Sequence, residues 1–287
     1  MGEIAPIEAS DASGMNLMNI LSCKWEDSLL EVCGGPELRE KLGPEPVTGG
    51  TTLGVIHRYW VERWGFNPGK CTYALHVREG ALSMFYVECI IAPFTGDNPA
   101  TVIALSAPGD AIMSLGTSTT FLLSIPPSSI PPKRFTTSHL LSHPTDVRGQ
   151  IAMLCYKNGA LARENVRDRF ANGNWNVFNE LIEATPPGNG GYLGVYFPYP
   201  EIIPPNIKGE YFFKFSATGE NSRPSSIPIQ DFPANAHPRA ILESQFLSIL
   251  SRLKAILPDN APLLRRLILT GGSSANQTIR QLAAVRV

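Results

Sequence analysis

A long one-faced helix running directly into a strand and a glycine turn constrains this chain more than any other feature. Leu242, Phe246, Ile249, Leu250, Leu253, Ile256 and Leu257 recur at helical spacing between Pro238 and Pro258. A helix with one apolar stripe must bury it on another layer, and the sequence supplies that layer at once. Arg266-Leu267-Ile268-Leu269 reads as a short strand, Thr270 to Ser274 as a glycine turn, and Asn276 to Leu282 as a second helix. A similar unit lies earlier, where Ile90 to Pro93 reads as a strand, Thr95 to Asn98 as a turn, and Pro99 suits the first position of a helix. Between them, Asp110–Ser114 and Thr119–Leu123 are apolar runs joined by Leu115-Gly116-Thr117-Ser118, the pattern of a hairpin. Strands mixed with helices place the chain in the α/β class.

Composition excludes several functions. With 24 basic against 25 acidic side chains, the 287 residues carry no excess charge for nucleic acid or an anionic membrane, so neither is expected as a partner. Apolar residues make up 43%, enough for a real core, and no run approaches the ~18 apolar residues that a membrane span needs. The length fits two domains or one large one. Five cysteines with no CxxC spacing, and no leader-like opening, read as reduced thiols in the cytoplasm. Prolines and glycines cluster at 126–132, 186–191 and 198–205, which therefore read as loops.

Small-residue turns at strand ends suit phosphate, because free amides and the absent Cβ let a polyanion approach closely. Such turns also occur with no ligand at all. The common nucleotide fingerprints are missing: Gly69-Lys70 is followed by Cys71, and Gly188-Asn189-Gly190 meets Leu193 where the dinucleotide motif needs glycine. Asp97 is the leading catalytic candidate, since a carboxylate at a strand end can take a proton from a substrate hydroxyl. Local sequence alone favours a helix-cap or Asx-turn role for it. His139 and His143 lack a third ligand, so no metal site is expected. Cys155 reads as core, and Trp175 as either core or a platform for a base.

The segment Ala92-Pro93-Phe94-Thr95-Gly96-Asp97-Asn98-Pro99-Ala100, followed by Gly109-Asp110 and by Ser114 to Thr119, resembles the hinge region of the FGGY carbohydrate kinases. Within that family the resemblance is strongest to the fungal-type D-xylulose kinases of eukaryotes. The opening Ile7 to Leu17, the stretch Met153 to Gly159, and Thr270 to Asn276 fit the same family in the same order. The resemblance implies an actin-like (ribonuclease H-like) ATPase fold and transfer of a phosphoryl group from ATP, with Mg2+, to D-xylulose. It implies Asp97 as general base, Asp97 and Asn98 as sugar ligands, and Gly116, Thr117, Ser118, Trp175, Gly271, Gly272, Ser273 and Asn276 as nucleotide ligands, with no metal held by side chains. A kinase for ribulose or glycerol, or a non-enzymatic remnant, are the alternatives.

The resemblance also implies an incomplete fold. Family members carry a first phosphate loop and sugar-binding histidine and arginine before the point matching residue 1, and continue past the point matching Val287. Residues 1–107 would then be the end of the first lobe, and 108–287 most of the second. The family passes from Phe66-Asn67-Pro68 almost directly to Cys89-Ile90, whereas nineteen residues, Lys70 to Glu88, intervene here. Gly69-Lys70-Cys71 can be encoded GGT-AAG-TGY and Val87-Glu88 can be encoded GTA-GAR, donor and acceptor signals in one phase, so a retained intron is the expected origin, with a genuine surface insertion as the alternative.

Overall fold

The computed structural model describes residues 4–66, 89–125, 137–215, 224–257 and 264–286. They form two compact units, Met1–Ala100 with Leu141–Gly149, and Thr101–Leu140 with Gln150–Val287. Lys70 to Glu88 and the proline cluster at 126–132 lie outside the described residues.

The first unit carries α1 (Ala9–Gly14), a β1–β2 ribbon (Met18–Asn19, Lys24–Trp25), α2 (Asp27–Cys33), α3 (Gly35–Leu42), β3 (Gly54–Val55), α4 (Arg58–Trp64) and β4 (Ile90–Ile91). Glu8 caps α1 by accepting from the amides of Ser10 and Asp11. Its core is small, built on Ala12, Met18, Trp25, Leu30 and Leu42. The Trp25 indole donates to the Pro44 carbonyl at 2.9 Å, which fastens the segment after α3 to that core. β3 and β4 pair antiparallel, and all four of their residues are exposed. α5 (Asp97–Leu105) carries the chain from the first unit into the second.

The second unit holds the larger core. β5 (Asp110–Leu115) and β6 (Thr119–Ile125) form the expected hairpin, β7 (His139–Ser142), whose Leu141 and Ser142 count with the first unit, and β8 (Gln150–Tyr156) follow, and the sheet order is β12-β5-β6-β8-β7. β12 (Arg266–Thr270) runs parallel to β5, pairing Arg266 with Asp110 and Thr270 with Ser114, so both strands end at the same edge. Alternation on β8 gives Leu154 and Tyr156 the core face. Cys155 points the other way and is half-buried, which corrects the expectation of a core cysteine.

After β8 come α6 (Ala160–Phe170) and α7 (Trp175–Ala184), then an antiparallel sheet of β9 (Tyr192–Phe197), β10 (Gly209–Lys214) and β11 (Ser225–Ser226). The predicted stripe folds as α8 (His237–Ile256), with Pro238 in its first turn and Phe246, Ile249 and Leu253 buried against β9, α6 and α7. Leu257, ahead of Pro258, is extended at φ −73°, ψ 145°, as a residue before proline must be, and the helix stops there. α9 (Gln277–Arg286) follows the glycine turn and packs on α8.

Candidate nucleotide-binding cavity and the Asp97 turn

Parallel pairing brings the end of β12 beside the end of β5, so the glycine turns after both strands meet. Gly271 has φ +82°, and a Cβ there would lie 2.8 Å from the Leu115 carbonyl carbon and 2.9 Å from the Gly116 amide. Only glycine allows that approach. Gly159 is seated more tightly still, since its Cβ would fall 2.6 to 2.9 Å from the backbone of Gly116, Thr117 and Ser118. The Ala160 amide donates to the Gly116 carbonyl at 3.0 Å, which fixes the hairpin turn on the start of α6.

A cavity of about 720 Å³ opens over these turns. Gly116, Thr117, Trp175, Gly272, Ser273 and Asn276 line it, together with Glu164 and Asn179. Its size lies within the 300–1,000 Å³ typical of small-molecule sites. Above Gly272 the space is open, with no atom within 4 Å of where a Cβ would stand. Gly271, packed against the Leu115–Gly116 backbone, and Ser118, exposed in the hairpin turn, do not line the cavity. Trp175 opens α7 after its cap Asn174, with the Arg167 guanidinium 4.7 Å from its ring centroid. The Asn276 side chain donates to Asn179 Oδ1 at 2.8 Å, tying the start of α9 to α7 across the cavity.

Arg163 holds this assembly from behind and was not marked by the sequence. Its side chain is wholly buried. One nitrogen donates to Gln245 Oε1 at 2.8 Å and another to Ser273 Oγ at 3.1 Å, with longer contacts of 3.5 Å to Thr119 Oγ1 and the Gly116 carbonyl. Nε has no partner. Burial pulls the guanidinium down to about 10, so it stays charged at neutral pH. An arginine on a helix ordinarily reads as a solvated face, and nothing local distinguishes this one.

Asp97 and Asn98 belong to the first unit. Asp97 is not at the end of β4, as the sequence suggested, but six residues beyond it, at the first position of α5 and exposed. Its Oδ1 accepts from the Asn98 amide at 2.7 Å and from the Asn98 side chain at 3.1 Å. Pro99 is the third residue of the helix rather than the first. Asp11, on α1, flanks this turn: a Cβ on Gly96 would lie 2.7 Å from Asp11 Oδ1. His139 lies in β7, and His143 lies in a turn where burial lowers its pKa. Among the described residues, no group of three or more His, Cys, Asp or Glu side chains could hold a metal ion. No helix among them is long and apolar enough to cross a membrane.

No protein-family model matches the chain. It is 37% identical over 305 residues to a probable D-xylulose kinase A of Aspergillus clavatus and 38% identical over 305 residues to D-xylulose kinase A of Aspergillus niger, covering 99% of this chain and 49% of each relative. It thus spans about half the length of the curated relatives it matches. Among solved structures, it superposes on a xylulose kinase from Bifidobacterium adolescentis with a TM-score of 0.67 at 22% identity, covering 97% of this chain and 50% of that one. A Plasmodium falciparum glycerol kinase with ADP gives a TM-score of 0.64 at 14% identity, covering 99% and 50%.

Proposed function

The chain belongs to the FGGY carbohydrate kinases and has the α/β architecture of about half their actin-like ATPase fold, and from that membership we propose that it carries the nucleotide side and the catalytic base of a D-xylulose kinase. The reaction assigned is transfer of the γ-phosphoryl group of MgATP to a terminal hydroxyl of D-xylulose. One observation carries the reading: turns separated by more than 150 residues, at Gly116 and at Gly272 to Asn276, share one cavity with Trp175.

In this reading Gly116, Thr117 and Gly272 offer amides and open backbone to the phosphates, and Ser273, Asn276 and Trp175 face the nucleoside. Magnesium comes with the nucleotide as substrate. Asp97 takes the proton of the attacking hydroxyl, and Asn98 helps to orient the sugar. Phosphoryl transfer depends mainly on alignment and charge neutralisation, so one carboxylate beside the acceptor is sufficient acid–base machinery. We assign residues 1–107 to the end of the first lobe and 108–287 to the second, with Lys70 to Glu88 a retained-intron segment. Transcript sequence lacking GTAAG at codons 69 and 70 would exclude that origin. Cys23, Cys33, Cys89 and Cys155 are free thiols, which suits a cytoplasmic enzyme.

Calorimetric titration of ADP into the chain tests the nucleotide reading. Binding lost on Gly272→Val supports it, and no binding by the folded parent overturns it. For the chemistry, this chain replaces the matching part of the A. niger enzyme, and D-xylulose-dependent ADP formation is assayed. A chimera that folds and binds ADP but prefers glycerol or ribulose would overturn the sugar assignment alone.

A further inference from the structure

The nucleotide cavity has one charged side chain among its described lining residues, and it is an anion. Glu164, on α6, shares the wall with Gly116, Thr117 and Trp175, and no lysine, arginine or histidine joins it. A carboxylate repels phosphates, and it accepts hydrogen bonds without donating any. Its partner in the cavity must therefore be a neutral donor.

The helix fixes where that donor sits. Ala160 and Glu164 are one turn apart on a single face of α6, and both line the cavity. The Ala160 amide is bonded to the Gly116 carbonyl, so this end of the helix belongs to the glycine turns. Glu164 stands about 6 Å further along the axis, and Arg167 about 4.5 Å beyond that. The Arg167 guanidinium is the one that lies 4.7 Å from the Trp175 ring centroid. The carboxylate thus falls between the phosphate end of the cavity and the aromatic platform.

Other polar side chains of the wall are committed. Ser273 Oγ accepts from Arg163, Asn179 Oδ1 from the Asn276 side chain, and Asn276 Oδ1 from the Ile279 amide. Glu164 is half-buried and makes no hydrogen bond or ion pair with the described residues, and neither of its oxygens is sealed from solvent. Its charge does favour the cation of the neighbouring Arg163.

We propose that Glu164 reads the ribose, its carboxylate accepting from the 2′-hydroxyl of the bound nucleotide, so that the site selects ribonucleotides over 2′-deoxyribonucleotides. The inference rests on the nucleotide reading of this cavity and deepens it. With phosphates on the glycine turns and the base on Trp175, the ribose is what a nucleotide places between them, and its hydroxyls are the neutral donors there. Dinucleotide-binding folds reach the same pairing of an acidic side chain with a ribose 2′-hydroxyl on a different architecture.

Calorimetric titrations of ADP and 2′-deoxyADP into the full chain test it. ADP should bind about 10- to 100-fold more tightly, the margin of one hydrogen bond to a charged acceptor. Glu164→Met should bring that ratio close to one, and Glu164→Gln, which keeps the shape and one neutral acceptor, to about threefold. The side chain is partly exposed, so both variants should keep the parent's melting temperature, and the glutamine variant carries the test if the methionine variant unfolds. A role confined to steadying Arg163 would weaken both nucleotides by one factor and leave the ratio at the parent's value. That result, or equal affinities in the parent, would overturn the inference alone. No binding of either nucleotide by the folded parent would overturn the nucleotide reading and the inference with it.

Discussion

Gly159 shows how little room the hairpin turn has. Its Cβ would meet backbone atoms of three successive residues, and backbone cannot swing aside as a side chain can. Gly159→Ala should therefore displace Gly116 to Ser118 and weaken ADP binding by an order of magnitude or so, a cost of about 1.4 kcal/mol. Gly50→Ala, where nothing lies within 4 Å, is the control that should leave binding unchanged. The glycine turns were legible because their composition is distinctive. The need for Gly159 was not, because it arises from a contact more than 40 residues away. For Asp97 the local pattern pointed to a capping role, and its exposed place at the start of α5 fits that pattern as well as a catalytic one. Turnover separates the two. In the chimera, Asp97→Asn should lower turnover by ~10²- to 10⁴-fold with ADP affinity near the parent's, as loss of a general base does. Turnover within threefold of the parent would remove the assigned role.

At the scale of elements, the helices and strands followed their periodicity closely, and the junctions did not. α8 and the β5–β6 hairpin are where spacing put them, whereas β4 is two residues long, with Ile90 and Ile91 paired to Val55 and Gly54 of β3. α6 is joined to both glycine turns through Arg163, and no periodicity could announce that tie. Arg163→Met should leave Gln245 and Ser273 short of a donor, lower stability by on the order of 2 kcal/mol in urea denaturation, and weaken ADP binding in the same variant. α8 begins at His237, which is buried with its ring stacked on Phe170 at 3.7 Å and its Nδ1 hydrogen-bonded with the Tyr196 hydroxyl at 2.7 Å. Burial holds it down to about 4, from 6.5. The unfolded chain therefore takes up the proton first, and this contribution to stability is whole above about 6.5 and lost as pH falls toward 4. Urea midpoints measured between pH 7 and 4 should fall for the parent and fall less for His237→Gln. A parent profile that is flat over that range would be the contrary result.

For the whole molecule, the two units differ in how well they are closed. The second packs a continuous core, while the first exposes Trp60, Trp64, Phe66 and, at 79%, Phe94. An exposed ribbon such as β3–β4 is a ready edge for unwanted pairing. Limited proteolysis should cut the first unit well before the second, and the 287-residue chain by itself should bind ADP without D-xylulose-dependent turnover. Sugar-dependent ATP consumption by a monodisperse preparation would be the opposite outcome. Among the described residues of the second unit, Gln245 stands in a double position: it lines a second cavity, of about 540 Å³ between β9 and α8, and holds the guanidinium that holds Ser273. Occupancy on one side that shifts this amide changes the free energy on the other. Reciprocity then makes the two effects equal, so the factor by which any occupant of that second cavity alters ADP's dissociation constant is the factor by which ADP alters the occupant's.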